Sequence, residues 1–172
     1  VQIAAEVKDD YDPTGAAAPK ELRKLDRNVL FALSAAKEAA QDAGLTGFDP
    51  ERVGVVVGNC IGGFNELMRQ HDILRERGPD RVSPTFLANV LVDSASGQIA
   101  IELGIRGPNY AVVSACATGS HAIGEGAELE IRRLSVRVLA VLRAAAPSRF
   151  GDFEVYVTSD GTEAGRVRYH KV

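Results

Sequence analysis

Asn109–Gly126 reads NYAVVSACATGSHAIGEG, and the order of residue types in it decides the fold. The run Tyr110 to Val113 suits a strand, the small residues Ser114-Ala115-Cys116-Ala117-Thr118-Gly119 suit a tight turn, and the segment that follows suits a helix. A strand, a sharp elbow and a helix are expected, with a thiol at the bend. Cys116 then stands at or just before a helix N-terminus, where unpaired backbone N–H groups and the positive end of the macrodipole favour an anion. The thiolate is the nucleophilic form of cysteine, and the flanking Ala and Gly residues leave room for a substrate carbonyl, so Cys116 is a candidate for covalent catalysis. The competing reading, a buried cysteine acting as a small hydrophobe, is the weaker one in this setting.

Working outward, Gly107-Pro108 turns the chain into that strand, and a short helix capped by Asp93 or Ser94 precedes it, ending near Leu103-Gly104. Ser83 is a plausible N-cap with Pro84 at the first helical position of a segment reaching Val92. Its Phe86, Leu87, Val90 and Leu91 could line an apolar pocket or fill a core. Further back, Arg52 to Val57 reads as a buried strand that ends in Gly58-Asn59-Cys60-Ile61-Gly62-Gly63, with a helix over Phe64 to Arg77. The glycines fit neither a GK[ST] loop nor GxGxxG, so a tight turn with close backbone approach is preferred over phosphate binding, and Cys60 is read as structural. From Lys20 to Ala43 apolar residues recur in steps of three and four, which predicts one long helix stopped by Gly44. Lys20, Arg23, Lys24 and Arg27 crowd its start, either as a solvated face or as a docking patch for an acidic partner. Helices alternating with β-branched runs indicate α/β layers around a largely parallel sheet.

Composition narrows the function classes. A chain of 172 residues is long enough for one domain with a real core, and a net charge of −3 with 6% aromatic residues points away from nucleic acid. Two cysteines, Cys60 and Cys116, make neither a disulfide framework nor a four-ligand zinc site, which fits a reducing compartment. The most apolar window, Leu134 to Ala146, carries Arg137 and Arg143 and is too short to span a bilayer, so no membrane association is expected and a cytoplasmic location is the default. The chain does not begin with Met, and Val1 to Val7 read as the end of a strand already in progress, so a piece of a longer protein is expected.

These residues together resemble one family, the elongating β-ketoacyl-acyl carrier protein synthases of type II fatty acid synthesis, condensing enzymes of the thiolase superfamily. The resemblance runs from about Ile3 to Arg133 and rests on KELRKLDR, AAKEAAQDAGL, ERVGVVVGNCIGG, RVSPTF, GQIAIELGIRGPN and, most specifically, SACATGSHAIG. It implies a thiolase-like layered α/β fold with a mixed, largely parallel sheet and a central helix after the nucleophile. By that likeness Cys116 is the acyl-accepting nucleophile, and its own backbone N–H is one donor of the oxyanion hole. Ile61 falls on the acyl-pocket gate and Phe86 on a residue reaching toward the partner subunit's pocket in the family homodimer. Lys20, Arg23, Lys24 and Arg81 fall on positions that meet the acidic carrier protein, while Asp80 stands where relatives often have a basic residue, which would weaken docking.

The activity implied is that of a 3-oxoacyl-[acyl-carrier-protein] synthase. An acyl group passes from acyl carrier protein to Cys116, malonyl-acyl carrier protein is decarboxylated, and the enolate attacks the thioester in a Claisen condensation. No metal or organic cofactor is implied, since phosphopantetheine arrives on the carrier protein. The family's catalytic histidines and supporting lysine lie in motifs that this chain lacks; His71, His121 and His170 match none of them. Condensation by the chain alone is therefore expected to be deficient. The division expected is 1–133 as the N-terminal half of a ketosynthase domain lacking its first strand, and 134–172 as a divergent tail. In that tail Gly151 to Val155 would be a displaced strand, or Phe153 to Thr158 and Arg166 to Val172 a hairpin. Two other functions stand beside the enzyme: a noncatalytic fragment or interaction module, and a Cys-dependent acyl hydrolase using His121.

Overall fold

The computed structural model describes residues 7, 11–131 and 137–141. Its centre is a strand, β1 (Val53–Gly58), whose Val53, Val55, Val56 and Val57 are all almost fully buried. Burial on both faces is what a central parallel strand requires. Each of those valines contributes roughly 1.5–3 kcal/mol of burial. A half-exposed surface ion pair such as Lys37–Glu102, at 2.6 Å between two helices, contributes about 0–1 kcal/mol. Hydrophobic burial along β1, not surface charge, therefore holds the layers together.

Upstream of β1 lie α1 (Pro19–Leu22) and α2 (Arg27–Asp42); downstream come α3 (Phe64–Arg77), α4 (Phe86–Val90), α5 (Ser94–Leu103), β2 (Asn109–Val112), α6 (Thr118–Ile131) and β3 (Arg137–Val141). The three described strands run parallel in the order β2-β1-β3, with Gly58 opposite Val112 and Val57 opposite Val141. Val53, Val55 and Val57 pack with Val29, Leu33 and Ala36 of α2 and Ile99 of α5, while Val56 packs with Ala122 of α6. Helices thus cover both faces. The connection from β1 to β2 passes over the α2/α5 face, and that from β2 to β3, moving the other way along the sheet, passes over the α6 face. Opposite directions on opposite faces are what two crossovers of one handedness demand.

Two helix expectations need correction. The stretch from Lys20 to Ala43 is not one helix: α1 ends at Leu22, and α2 starts afresh after Asp26, whose carboxylate accepts the Asn28 N–H at 2.9 Å as an N-cap. The apolar steps of three and four hold on both sides of the break because α1 and α2 press against the same core. The basic group therefore does not load the first turn of α2; only Arg27 stands there. The segment expected to be helical from Pro84 begins at Phe86 instead, because Ser83 Oγ accepts the Thr85 N–H and Ser83 C=O the Phe86 N–H, closing a turn first. The other end of α2 is as expected, with Gly44 at φ +58 and the Gly44 and Leu45 N–H groups returning to the Gln41 and Ala40 carbonyls.

β3 lies inside the segment 134–172, in the apolar window for which no strand was expected. The strand and hairpin expected over 151–172 lie outside the described residues, as does the strand expected over Val1 to Val7 except for Val7 itself. Among the described residues no helix is long and apolar enough to cross a membrane.

Near the N-terminus Asp12 caps a single turn, Pro13–Gly15, accepting from the Thr14 N–H at 2.9 Å and the Thr14 hydroxyl at 2.8 Å. These bonds hold its carboxyl below the ordinary value of 3.8. A depressed carboxyl adds stability above its unfolded-state value and loses it as pH falls through the folded one. Asp12→Ala is expected to destabilise the chain slightly at pH 7, with the difference shrinking as the pH drops below about 4. Urea denaturation at the two ends of that range measures it.

Candidate active site

Strand topology places the site. The chain leaves β1 toward the α2/α5 face and leaves β2 toward the α6 face, and connections that part from neighbouring parallel strands in this way open a crevice at their carboxyl ends. The two turns that flank it are the Cys116 elbow and the glycine-rich turn carrying Ile61.

The elbow is closed by its own groups. Ser114 N–H donates to Thr118 Oγ1 at 2.8 Å, and Ala117 N–H to Ser114 C=O at 3.0 Å, around a single 3-10 turn, Ala115–Ala117. Ala115 takes φ +48, the one non-glycine residue with positive φ among the described residues, at a cost of about 1–2 kcal/mol. Cys116 follows it at the bend and is exposed. Thr118, buried in the first turn of α6, lies so close to the end of β1 that a Cβ on Gly58 would come within 2.9 Å of its carbonyl oxygen. Thr118→Val keeps the shape and leaves the Ser114 N–H without an acceptor. A loss of about 1–3 kcal/mol is expected in urea denaturation, with Thr118→Ser retaining most of it. On the outer edge Tyr110 donates its hydroxyl to Glu125 Oε2 at 3.4 Å, tying β2 to α6; burial, then the Glu125 charge, pushes the phenol up.

The neighbouring turn is braced by Asn59. Its N–H donates to Val112 C=O at 3.2 Å, its side-chain amide donates to Val92 C=O at 2.9 Å, and its Oδ1 accepts the Gly62 N–H at 3.3 Å. One residue thereby joins the ends of β1 and β2 to the link between α4 and α5. Ile61 projects from this turn with 65% of its surface exposed, and Val113 before the elbow is 50% exposed. Both apolar side chains stand in water past the carboxyl ends of two neighbouring parallel strands. Cys60, read from sequence as structural, is exposed in the same turn. Phe86 is half-buried in α4, whose Leu87 is exposed, as is Leu91 just beyond it.

Lys20, Arg23 and Lys24 lie exposed in and just after α1, with Lys24 paired to Glu21 at 2.9 Å. Arg81 and Asp80 lie exposed in the turn Pro79–Arg81. His121 is exposed in the first part of α6. Among the described residues no group of three or more His, Cys, Asp and Glu side chains could hold a metal ion.

What sequence reasoning missed is the polar scaffold behind the turn. Asp26, Glu66, Gln70 and Asn89 are all at least nine-tenths buried, and α3 turns Glu66 and Gln70 inward while Phe64, Leu67, Met68 and Leu74 face water. Asp26 did carry a signal, an N-cap residue directly before the apolar steps of α2. Buried Glu66 and Gln70 carried none.

Residues 2–142 match the family described as beta-ketoacyl synthase, N-terminal domain. The chain belongs to the β-ketoacyl synthases. Among synthases of this family, 3-oxoacyl-[acyl-carrier-protein] synthase 2 of Coxiella burnetii is 40% identical over 130 residues, which are 74% of this chain and 31% of that protein. The protein of the same name from Staphylococcus aureus strain N315 is 42% identical over 127 residues, 73% of this chain and 30% of that one. The chain thus spans about a third of the length of the curated relatives it matches. A type II PKS ketosynthase solved in complex with its acyl-carrier protein superposes with a TM-score of 0.67 at 23% identity, over 78% of this chain and 41% of that one. A beta-ketoacyl synthase from Burkholderia phymatum gives 0.62 at 24% identity, over 74% and 32%. These likenesses establish the ketosynthase fold, thiolase-like as the motifs implied, with α6 following the cysteine elbow.

Proposed function

We propose that this chain carries the acyl-accepting part of a 3-oxoacyl-[acyl-carrier-protein] synthase. The observation that supports it most is an exposed cysteine on a strained elbow at the end of β2, next to the end of β1, whose turn carries an outward-facing isoleucine. In the first half-reaction the Cys116 thiolate attacks the thioester carbonyl of acyl carrier protein. A C–S bond forms at Cys116, the oxyanion of the tetrahedral intermediate is met by the Cys116 backbone N–H, and the old C–S bond breaks. The phosphopantetheine thiolate leaves and takes up a proton. Ile61 and Phe86 border the acyl chain, and Lys20, Arg23, Lys24 and Arg81 receive the acidic carrier. The second half-reaction is Claisen condensation with malonyl-acyl carrier protein; its decarboxylation is assigned to no residue of this chain. The reading calls for no resident cofactor or metal, and includes a homodimer and a cytoplasmic location.

Incubation with hexadecanoyl-acyl carrier protein followed by peptide mass spectrometry should place one acyl group on Cys116. The double charge reversal Arg23→Glu and Lys24→Glu is expected to slow that transfer about tenfold, and to leave transfer from a small acyl thioester unchanged. A chain that folds and takes no acyl group from either donor overturns the reading.

A further inference from the structure

Asp26 belongs to neither the elbow nor the glycine-rich turn, yet it is 7% exposed and holds three elements around them. Its Oδ1 accepts the Asn28 N–H at 2.9 Å, which starts α2, and its Oδ2 accepts the Glu66 N–H at 2.8 Å in the first turn of α3. Its own N–H donates to Asn89 Oδ1 at 3.1 Å. Asn89, 2% exposed, donates its amide to Thr85 C=O at 3.0 Å at the start of α4. The turn carrying Ile61 is pressed against this pair: a Cβ on Gly63 would overlap the Asn89 carbonyl oxygen and lie 3.1 Å from the Asp26 Cβ. From Glu66 the bonds continue, Gln70 donating to its Oε1 at 2.8 Å and accepting the Ser83 N–H at 2.8 Å, so the segment before Phe86 is fastened as well.

We propose that Asp26 is a positioning residue for the acyl pocket, fixing the Ile61 turn and α4 so that the length of acyl chain Cys116 accepts depends on it. The inference rests on the acyl-transfer reading above. Chemistry explains the residue type. Two N–H donors approach the two oxygens of one carboxylate, and only an acid of this length satisfies both. Asparagine would present one oxygen and one NH2 group, setting a donor against a donor. Glutamate restores two acceptors on a side chain one methylene longer. Because Asp26 acts through the turn, its loss alters the pocket without removing any group that touches substrate.

The test compares wild type with Asp26→Asn and Asp26→Glu. One measurement is amide hydrogen exchange over residues 59–66 against that over β1. The other is the ratio of Cys116 acylation by hexadecanoyl- and hexanoyl-acyl carrier protein in competition. In Asp26→Asn, exchange in 59–66 is expected to rise about tenfold with β1 unchanged. The acylation ratio should move at least about threefold, and Asp26→Glu should recover part of both. Exchange that rises equally in β1 would reduce Asp26 to a general stability role and overturn the proposal. An unchanged acylation ratio in an Asp26→Asn chain that still accepts acyl groups would overturn it too, leaving the acyl-transfer reading intact. Absence of acylation in the wild type would overturn that reading instead, and the pocket role with it.

Discussion

Cys116→Ala is expected to abolish acyl transfer, with a fall on the order of 10³-fold or more, because the covalent intermediate loses its only bonding atom. The fold should be untouched. Cys116 is exposed, the substitution only shortens its side chain, and the hydrogen bonds that close the elbow come from Ser114, Ala117 and Thr118. Urea denaturation of Cys116→Ala should therefore agree with wild type within about 0.5 kcal/mol. Cys116→Ser should be nearly as inactive, since a hydroxyl is a far weaker nucleophile than a thiol at neutral pH. The informative control is Cys60→Ala. Cys60 is also exposed and sits one residue before Ile61, so it samples the same crevice. Full transfer in Cys60→Ala and none in Cys116→Ala assigns the chemistry to the elbow; the opposite result would move the nucleophile to the neighbouring turn.

Gly62→Ala is expected to cost the fold heavily. Gly62 has φ +82, which costs an alanine about 1 kcal/mol. Its new Cβ would also overlap the Val90 carbonyl oxygen and stand 3.0 Å from that of Leu91. Those obstacles are backbone atoms at the end of α4 and cannot rotate aside, so an overpacking cost of about 1–3 kcal/mol adds to the first. The sum, about 2–4 kcal/mol, is a sizeable share of the 5–15 kcal/mol typical of a whole domain. A lower urea midpoint with an unchanged slope is the expected signature. A loss below about 1 kcal/mol would mean that the turn and α4 can separate freely, and would count against their role as a rigid pair around Ile61. Gly15, where a Cβ would meet nothing within 4 Å, is the control position.

Only part of this arrangement was legible in the sequence. The nucleophile elbow, β1 and the bounds of α3 were legible because each is written in consecutive residues. A β-branched run, a cluster of small or glycine residues and a helix-compatible run after them are local signals, and local sterics enforce them. The break before α2 was written too, in Asp26, but the apolar steps that span it conceal it, since α1 and α2 face one core.

By itself the sequence determined a parallel α/β chain with a cysteine at a strand-to-helix bend, and motifs that resemble the β-ketoacyl synthases. Tertiary structure alone decided which turns share the crevice, that β3 borders β1, and that Asp26 reaches Asn89 and Glu66, 63 and 40 residues away. The physical reason is separation along the chain. A buried hydrogen bond between distant residues leaves no periodicity in either segment, and becomes necessary only when packing removes both partners from water.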